Sequence, residues 1–277
     1  MRNRLLIFVT TLLLVSCWDK KTNTQQTEER EDSVECTENV EFVTDSIILN
    51  KKLSDGEYPK YTIEIKVEYA KGNSETAQNI NNQLDSLLFG FKDLPLKEAQ
   101  KHFTDALAES FEKVLKDFYE PDNEYQEIFA YEYSQKGTVS VESLEGVIAY
   151  TRRIETDMGG AHGDALESYL NFHKDTGLKI TAEELFGQNL DSVTKLVKEQ
   201  IVIDNNCKSA AELEEKRGIF SLGDVYISDT NFLLRNDGIL FCYNPYDIAP
   251  WSEGFIFTIL TYKQLEGLIN PIIKPTK

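Results

Sequence analysis

The chain has 277 residues, with 47 acidic against 29 basic side chains and a formal net charge of −18 at pH 7. So acidic a chain is repelled by nucleic acid and by anionic lipid surfaces, whereas a cationic partner or plain solubility is compatible with it. Its four cysteines form no C-x-x-C pair, which excludes a zinc ribbon or a thioredoxin motif.

Arg2 and Arg4 precede an eleven-residue apolar run, Leu5 to Val15, interrupted only by Thr10 and Thr11. A spanning helix needs about 20 apolar residues, so the run suits the core of a signal peptide. It ends in Leu14-Val15-Ser16-Cys17, which resembles the lipobox of bacterial lipoproteins. That resemblance implies removal of residues 1–16 and acylation of Cys17; the alternative is an ordinary signal peptide with an incidental cysteine. Removal takes away two arginines and no acid, leaving 27 basic and 47 acidic side chains, or −20. Trp18 stands where many inner-membrane lipoproteins carry aspartate, so the expected place is the outer membrane, facing periplasm or surface. Residues 17–39 are almost wholly polar and read as a disordered tether, because nothing in them offsets ordering entropy.

Folded sequence is expected from about Val40. Tyr61, Ile63, Ile65, Val67 and Tyr69 alternate with polar residues, the pattern of a half-buried antiparallel strand. After Lys71-Gly72-Asn73, Ser74 is a helix N-cap, and Ile80, Leu84, Leu87, Leu88 and Phe91 form one apolar stripe. Pro95 ends it. A second helix is predicted from Leu96 to Tyr119, buried through Phe103, Leu107, Phe111, Val114, Leu115 and Phe118 and stopped at Pro121-Asp122, with His102 on its surface. Strands follow at Glu127 to Tyr133, Val139 to Val141, Val147 to Ile154 and through Leu166, Leu170 and Phe172. His173-Lys174-Asp175-Thr176-Gly177 reads as a hairpin turn.

Three capping boxes come next: Thr181 with Glu184, Ser209 with Glu212, and Thr261 with Gln264, each expected to open a helix. Between the first two, Leu190, Val193, Leu196, Val197 and Ile201 make an amphipathic helix. Asn236-Asp237-Gly238 joins two strands in a hairpin, and Phe255 to Leu260 is a further strand. Runs of strands with segregated helices give an α+β class built of antiparallel sheets. The expected organisation is signal 1–16, tether 17–39, an N-terminal α+β part 40–172 and a C-terminal α+β part 173–277, packed together as one unit. In an exported chain Cys207 with Cys242 is the expected disulfide, since Cys36 lies in the tether.

Gly159-Gly160-Ala161-His162-Gly163 stands out between strands. Three glycines in five residues call for unusual backbone conformations or a close approach. The simpler expectation is a tight structural turn formed by Gly159, Gly160, His162 and Gly163, with the imidazole packed inside. The alternative is a hydrolytic or metal site, with His162 between Asp157 and Asp164. No nucleophile signature accompanies it. Three histidines in no ligand spacing give no metal site, and nothing implies a cofactor. Tyr246 and Trp251, on the Pro-rich segment around Ile248-Ala249-Pro250, are candidate binding residues, since aromatics on loops anchor ligands; the alternative is that they fill a core.

The glycine–histidine block, the strand Ser168-Tyr169-Leu170-Asn171-Phe172, the turn Asp175-Thr176-Gly177, the helical start Leu185-Phe186 and the block from Ile239 to Pro250 with the later Gly254 resemble a family of bacterial envelope proteins of unknown function. That family includes the lysozyme-binding extracellular part of anti-sigma-V factor RsiV and the non-catalytic region of the peptidoglycan deacetylase PdaC. The resemblance runs from about Tyr61 to Leu268 and implies an α+β fold like that of the RsiV extracellular part. No sigma-binding segment and no deacetylase domain are recognised, so neither activity transfers. The expectation is a non-enzymatic envelope lipoprotein that binds a ligand, a cationic protein such as lysozyme first. A peptidoglycan-associated or cell-wall-maintenance protein, and a hydrolase built around His162, are the alternatives.

Overall fold

The computed structural model describes residues 40–52, 60–90, 94, 96–118, 132–157, 162–217 and 222–270. The expected signal, Cys17, Cys36, the tether, the ends marked by Pro95 and Pro121, and the glycines 159 and 160 lie outside the described residues. The described residues form one compact unit. No described helix is long and apolar enough to cross a membrane.

Five strands make the first sheet, in the order β1 (Phe42–Lys52), β2 (Lys60–Ala70), β3 (Glu132–Ser143), β4 (Val147–Asp157) and β5 (Asp164–His173). Neighbours are antiparallel except β2 and β3, which run parallel. The all-antiparallel expectation is corrected at this one junction. A parallel pair requires a crossover, and it is supplied by α1 (Glu75–Phe89) and α2 (Leu96–Phe118). Ser74 caps α1 by accepting from Ala77 N, and Gly90 closes it with φ 73°.

The stripe Ile80, Leu84 and Leu88 packs on the inward row Tyr61, Ile63, Ile65 and Val67. Ile148, Tyr150, Leu170 and Phe172 complete that core. Val147, Ala149 and Tyr169 point the other way, into a second core. The continuous apolar run from Val147 to Tyr150 is therefore covered on both faces, as such runs require.

The second core lies under a three-stranded antiparallel sheet, β6 (Phe232–Leu234), β7 (Gly238–Tyr243) and β8 (Ile256–Thr261). Helices α3 (Ala182–Phe186), α4 (Leu190–Asp204) and α5 (Ala210–Arg217) contribute Phe186, Val193, Val197, Ile201 and Leu213 to it. The Asn236-Asp237-Gly238 hairpin forms as expected, with Arg235 N donating to Gly238 O at 3.0 Å. Asn171 joins the two sheets: its Nδ2 donates to Phe232 O and its Oδ1 accepts from Leu234 N, both at 2.9 Å.

The turn at 174–177 is seated on α1. Asn79 Nδ2 donates to Thr176 O at 2.9 Å, and Thr76 Oγ1 to Asp175 O at 2.9 Å. Gly177 has φ 68°, and a Cβ there would fall 2.3 Å from Thr76 O, so contact and conformation both require glycine.

The capping boxes are met unequally. Thr181 accepts from Glu184 N at 3.1 Å, but the Glu184 carboxylate is turned to His173 Nε2 at 2.8 Å. Ser209 accepts from Glu212 N at 3.2 Å, while the Glu212 carboxylate accepts from Lys208 N and pairs with Lys216. Thr261 and Gln264 are reciprocally bonded, yet a run of turns follows instead of the expected helix. Gly267, at φ 74°, interrupts the helical conformation there.

The expected Cys207–Cys242 disulfide is absent: both thiols are free and buried. Cys207 Sγ, in the turn after α4, faces Asn205 O at 3.5 Å. Cys242 lies on β7 beside Tyr169 and Glu167, so the two side chains serve different contacts.

Candidate binding surface

His162 is exposed, contrary to the expectation of a packed imidazole. Its Nδ1 lies 3.0 Å from Gly163 O. A carbonyl only accepts, so Nδ1 is the donor in this contact. The ring stacks on Trp251, with centroids 4.0 Å apart and planes at 19°. Tyr246 Oη reaches toward Nε2 at 3.5 Å. The two candidate aromatics and the histidine, 84 residues from Tyr246 in the chain, thus form one cluster. Tyr246 is 61% exposed and Trp251 38%, so neither fills a core.

The backbone holds this cluster in place. Gly163 passes so near β4 that a Cβ would stand 2.9 Å from Thr156 O. Pro250 leads into a 3-10 turn, Trp251–Glu253, which Gly254 closes at φ 67° by donating to Trp251 O at 3.0 Å. Tyr246 has φ 72°, the left-handed region that a bulky residue avoids. Its N donates to Ala249 O at 3.0 Å, and Asn244 N donates to Asp247 Oδ2 at 2.8 Å. Asn244 Oδ1 in turn accepts from Glu167 N on β5 at 2.6 Å. The strained tyrosine is therefore fastened to the first sheet. Tyr246→Gly should raise stability by about 0.5–1 kcal/mol, since it relieves left-handed strain at a small loss of contact. Urea denaturation would read this, and a loss above 1 kcal/mol would show that the ring contributes more than the strain removes.

Beside the cluster runs a groove of about 400 Å³, reaching from Ser134 and Lys136 past Glu155, Asp157 and Asp164 to Trp251. Carboxylates therefore rim an aromatic platform, a combination that suits Lys or Arg side chains through ion pairing and cation–π attraction. One such contact already exists within the protein: the Arg153 guanidinium lies 5.0 Å from the Phe255 ring centre, with Glu167 at 3.5 Å and Glu155 at 3.6 Å. Among the described residues no group of three or more His, Cys, Asp or Glu side chains could hold a metal ion.

The comparisons with known proteins bear on the scaffold of this surface. Residues 183–263 match DUF3298, described as a protein of unknown function. Solved DUF3298 proteins share the architecture. One from Bacteroides fragilis NCTC 9343 is 23% identical, with a TM-score of 0.72 over 84% of this chain and 95% of that one. One from Pseudomonas aeruginosa PAO1 is 14% identical, with a TM-score of 0.58 over 86% of this chain and 99% of that one. No curated protein matches. The α+β fold is thus that of DUF3298 proteins, in keeping with the resemblance to the envelope family of RsiV and PdaC. The DUF3298 segment contains Tyr246 and Trp251 but not His162, so the cluster joins the matched segment to the sheet that precedes it.

Sequence reasoning missed the outward charges of the first sheet, Glu64, Lys66, Lys136, Arg153 and Glu155. Their signal was the polar half of the alternation in β2, β3 and β4, which reads as solvated surface until the strand order is known.

Proposed function

We propose that this chain is a non-enzymatic envelope lipoprotein, anchored through Cys17, whose folded part binds a basic protein at the His162–Tyr246–Trp251 cluster. The observation that carries this reading is the exposed Trp251–His162 stack with Tyr246 held beside it at φ 72°. Structure spends strain on displaying this ring, and carboxylates of Glu155, Asp157 and Asp164 share the adjoining groove. The net charge of −20 left after removal of residues 1–16 would speed the approach of a cationic partner from a distance. Lysozyme is the first candidate because of the resemblance to the RsiV receptor.

Calorimetry of residues 18–277 against a basic lysozyme tests this. Binding is expected at low salt, weakening as the Debye length falls below about 10 Å. Trp251→Ala should weaken it at least about tenfold, as loss of a central aromatic anchor does. No complex with several lysozymes, alongside salt-insensitive binding of muropeptides, would replace this reading with that of a peptidoglycan-associated protein.

A further inference from the structure

We infer that Arg152 and Ser168, on the core-facing side of the first sheet, form a second binding site, for an aliphatic monocarboxylate. Register brings them together: Arg152 on β4 is the direct cross-strand partner of Ser168 on β5, and Val139 on β3 and Val67 on β2 continue the row. Tyr150 and Ile154, two residues to either side of Arg152, share its face and are buried in the first core. Arg153, Glu155 and Glu167 alternate with them and belong to the opposite face. The site shares no residue with the His162 cluster, so either reading stands if the other fails.

The row is apolar except for these two residues. Val67 and Val139 are 0% and 1% exposed, and Ser168 is 8% exposed. Arg152 Nε and Ser168 Oγ are both closed to solvent, and among the described residues neither has a hydrogen-bond partner. No described carboxylate pairs with the guanidinium, although the chain carries 47 acidic side chains. Burial lowers the Arg152 pKa from its usual value, and no neighbouring charge offsets this. Burying a charge without a partner is costly, and an apolar side chain of similar volume would be the more stable choice here. A water molecule would satisfy the hydroxyl but would bring no counter-charge. Orphaned buried groups of this kind call for an explanation, and a ligand that supplies the missing anion provides it.

The groups on offer select that ligand. The guanidinium presents only N–H donors, in a planar fork. The Ser168 hydroxyl stands one strand away, directly opposite, where Cβ atoms are about 4.5–5.5 Å apart. A carboxylate can take two bonds from the fork, at about 2.7–2.9 Å, and a third from the hydroxyl. Its single charge neutralises Arg152 one for one. A multiply charged anion such as phosphate would leave excess charge among Val139, Ile154 and Leu170, all buried, which is unfavourable. The aliphatic preference comes from Leu166. It lies two residues from Ser168 on the same face, across from Ile154, and is 41% exposed. It marks where this face opens to solvent, so an alkyl chain can lie against Leu166 while the carboxylate reaches Arg152.

The test is an NMR titration of residues 18–277, read at the arginine Nε–H signals, with acetate, butyrate, hexanoate, butyramide and inorganic phosphate at constant ionic strength. Butyrate and hexanoate should shift the Arg152 signal saturably, with affinity rising up to about fourfold per added methylene, the effect of burying one CH2. Butyramide should leave the signal in place, and phosphate should bind at least about tenfold more weakly than butyrate. Arg152→Met should abolish the response and raise the urea midpoint of the free protein, because it removes an uncompensated charge. Ser168→Ala should stay folded and weaken butyrate about tenfold, as loss of a hydrogen bond to a charged group does. Leu166→Gln should remove the gain from acetate to hexanoate. No saturable shift, or phosphate bound as tightly as butyrate, would overturn the proposal. So would an Arg152→Met variant that unfolds at lower urea than the wild type, since the guanidinium would then be satisfied within the fold.

Discussion

Asn171→Leu is expected to lower stability by about 3–5 kcal/mol. Asn171 is fully buried, 0% exposed, and its side chain holds Phe232 O and Leu234 N at 2.9 Å each. Leucine has the same branched shape and is larger, so no void arises, but both backbone groups lose their partner in the core. An unpaired buried group costs about 1–3 kcal/mol, and two are created here. The loss falls on the junction between the sheets, where Tyr169 N also donates to Thr230 O at 2.8 Å. Urea denaturation followed by tryptophan fluorescence measures it. A loss below 1 kcal/mol would show that the sheets are held by apolar contact and the Tyr169 bond alone.

Asp85→Asn should do the reverse and stabilise the chain at pH 8 by about 1–3 kcal/mol. Asp85 lies on the inner side of α1 and is 5% exposed. Among the described residues its Oδ1 has no hydrogen-bond partner. Burial raises its carboxyl from 3.8 to about 6. The folded state thus binds more protons than the unfolded chain between about pH 4 and 6, so stability falls as pH rises through that window. Above it the folded state bears the full cost of a buried charge, about 3 kcal/mol for a shift of this size. Below about pH 4 the cost is gone, and wild type and variant should melt alike. Equal destabilisation of the variant at pH 4 and pH 8 would show that the Asp85 carboxylate is satisfied in the fold.

Local pattern made much of this legible. The alternation in β2, the Ile80–Leu84–Leu88 stripe, the Asn236-Asp237-Gly238 hairpin and the turn at Gly177 each follow from neighbouring residues, whose period or backbone freedom admits one conformation. The parallel pairing of β2 with β3 did not, because strand order depends on how two helices fold back across a long segment. The His162 cluster was half legible: Tyr246 and Trp251 were candidates from loop position, but their meeting with His162 depends on β5 and the 244–250 loop being pinned through Glu167 and Asn244. The left-handed Tyr246 was hidden for the same reason, since the hydrogen bonds of its neighbours impose it against its own preference. Asn171 gave a signal that went unused, a lone amide between Leu170 and Phe172 at the apolar end of its strand. The disulfide expectation rested on counting alone and took no account of where the strands place each thiol.

The free Cys242 has a chemical consequence. It is 1% exposed, and burial first, then the nearby Glu167 charge, pushes its thiol up to about 12. At pH 7 only about one molecule in 10⁵ holds it as thiolate, the species that attacks oxidants and disulfides. In the folded chain this sulfur is chemically silent, whereas the unfolded chain returns it to an ordinary value near 8.5. Its slow alkylation therefore counts the openings of the second sheet, like a clock that runs only while β7 is exposed.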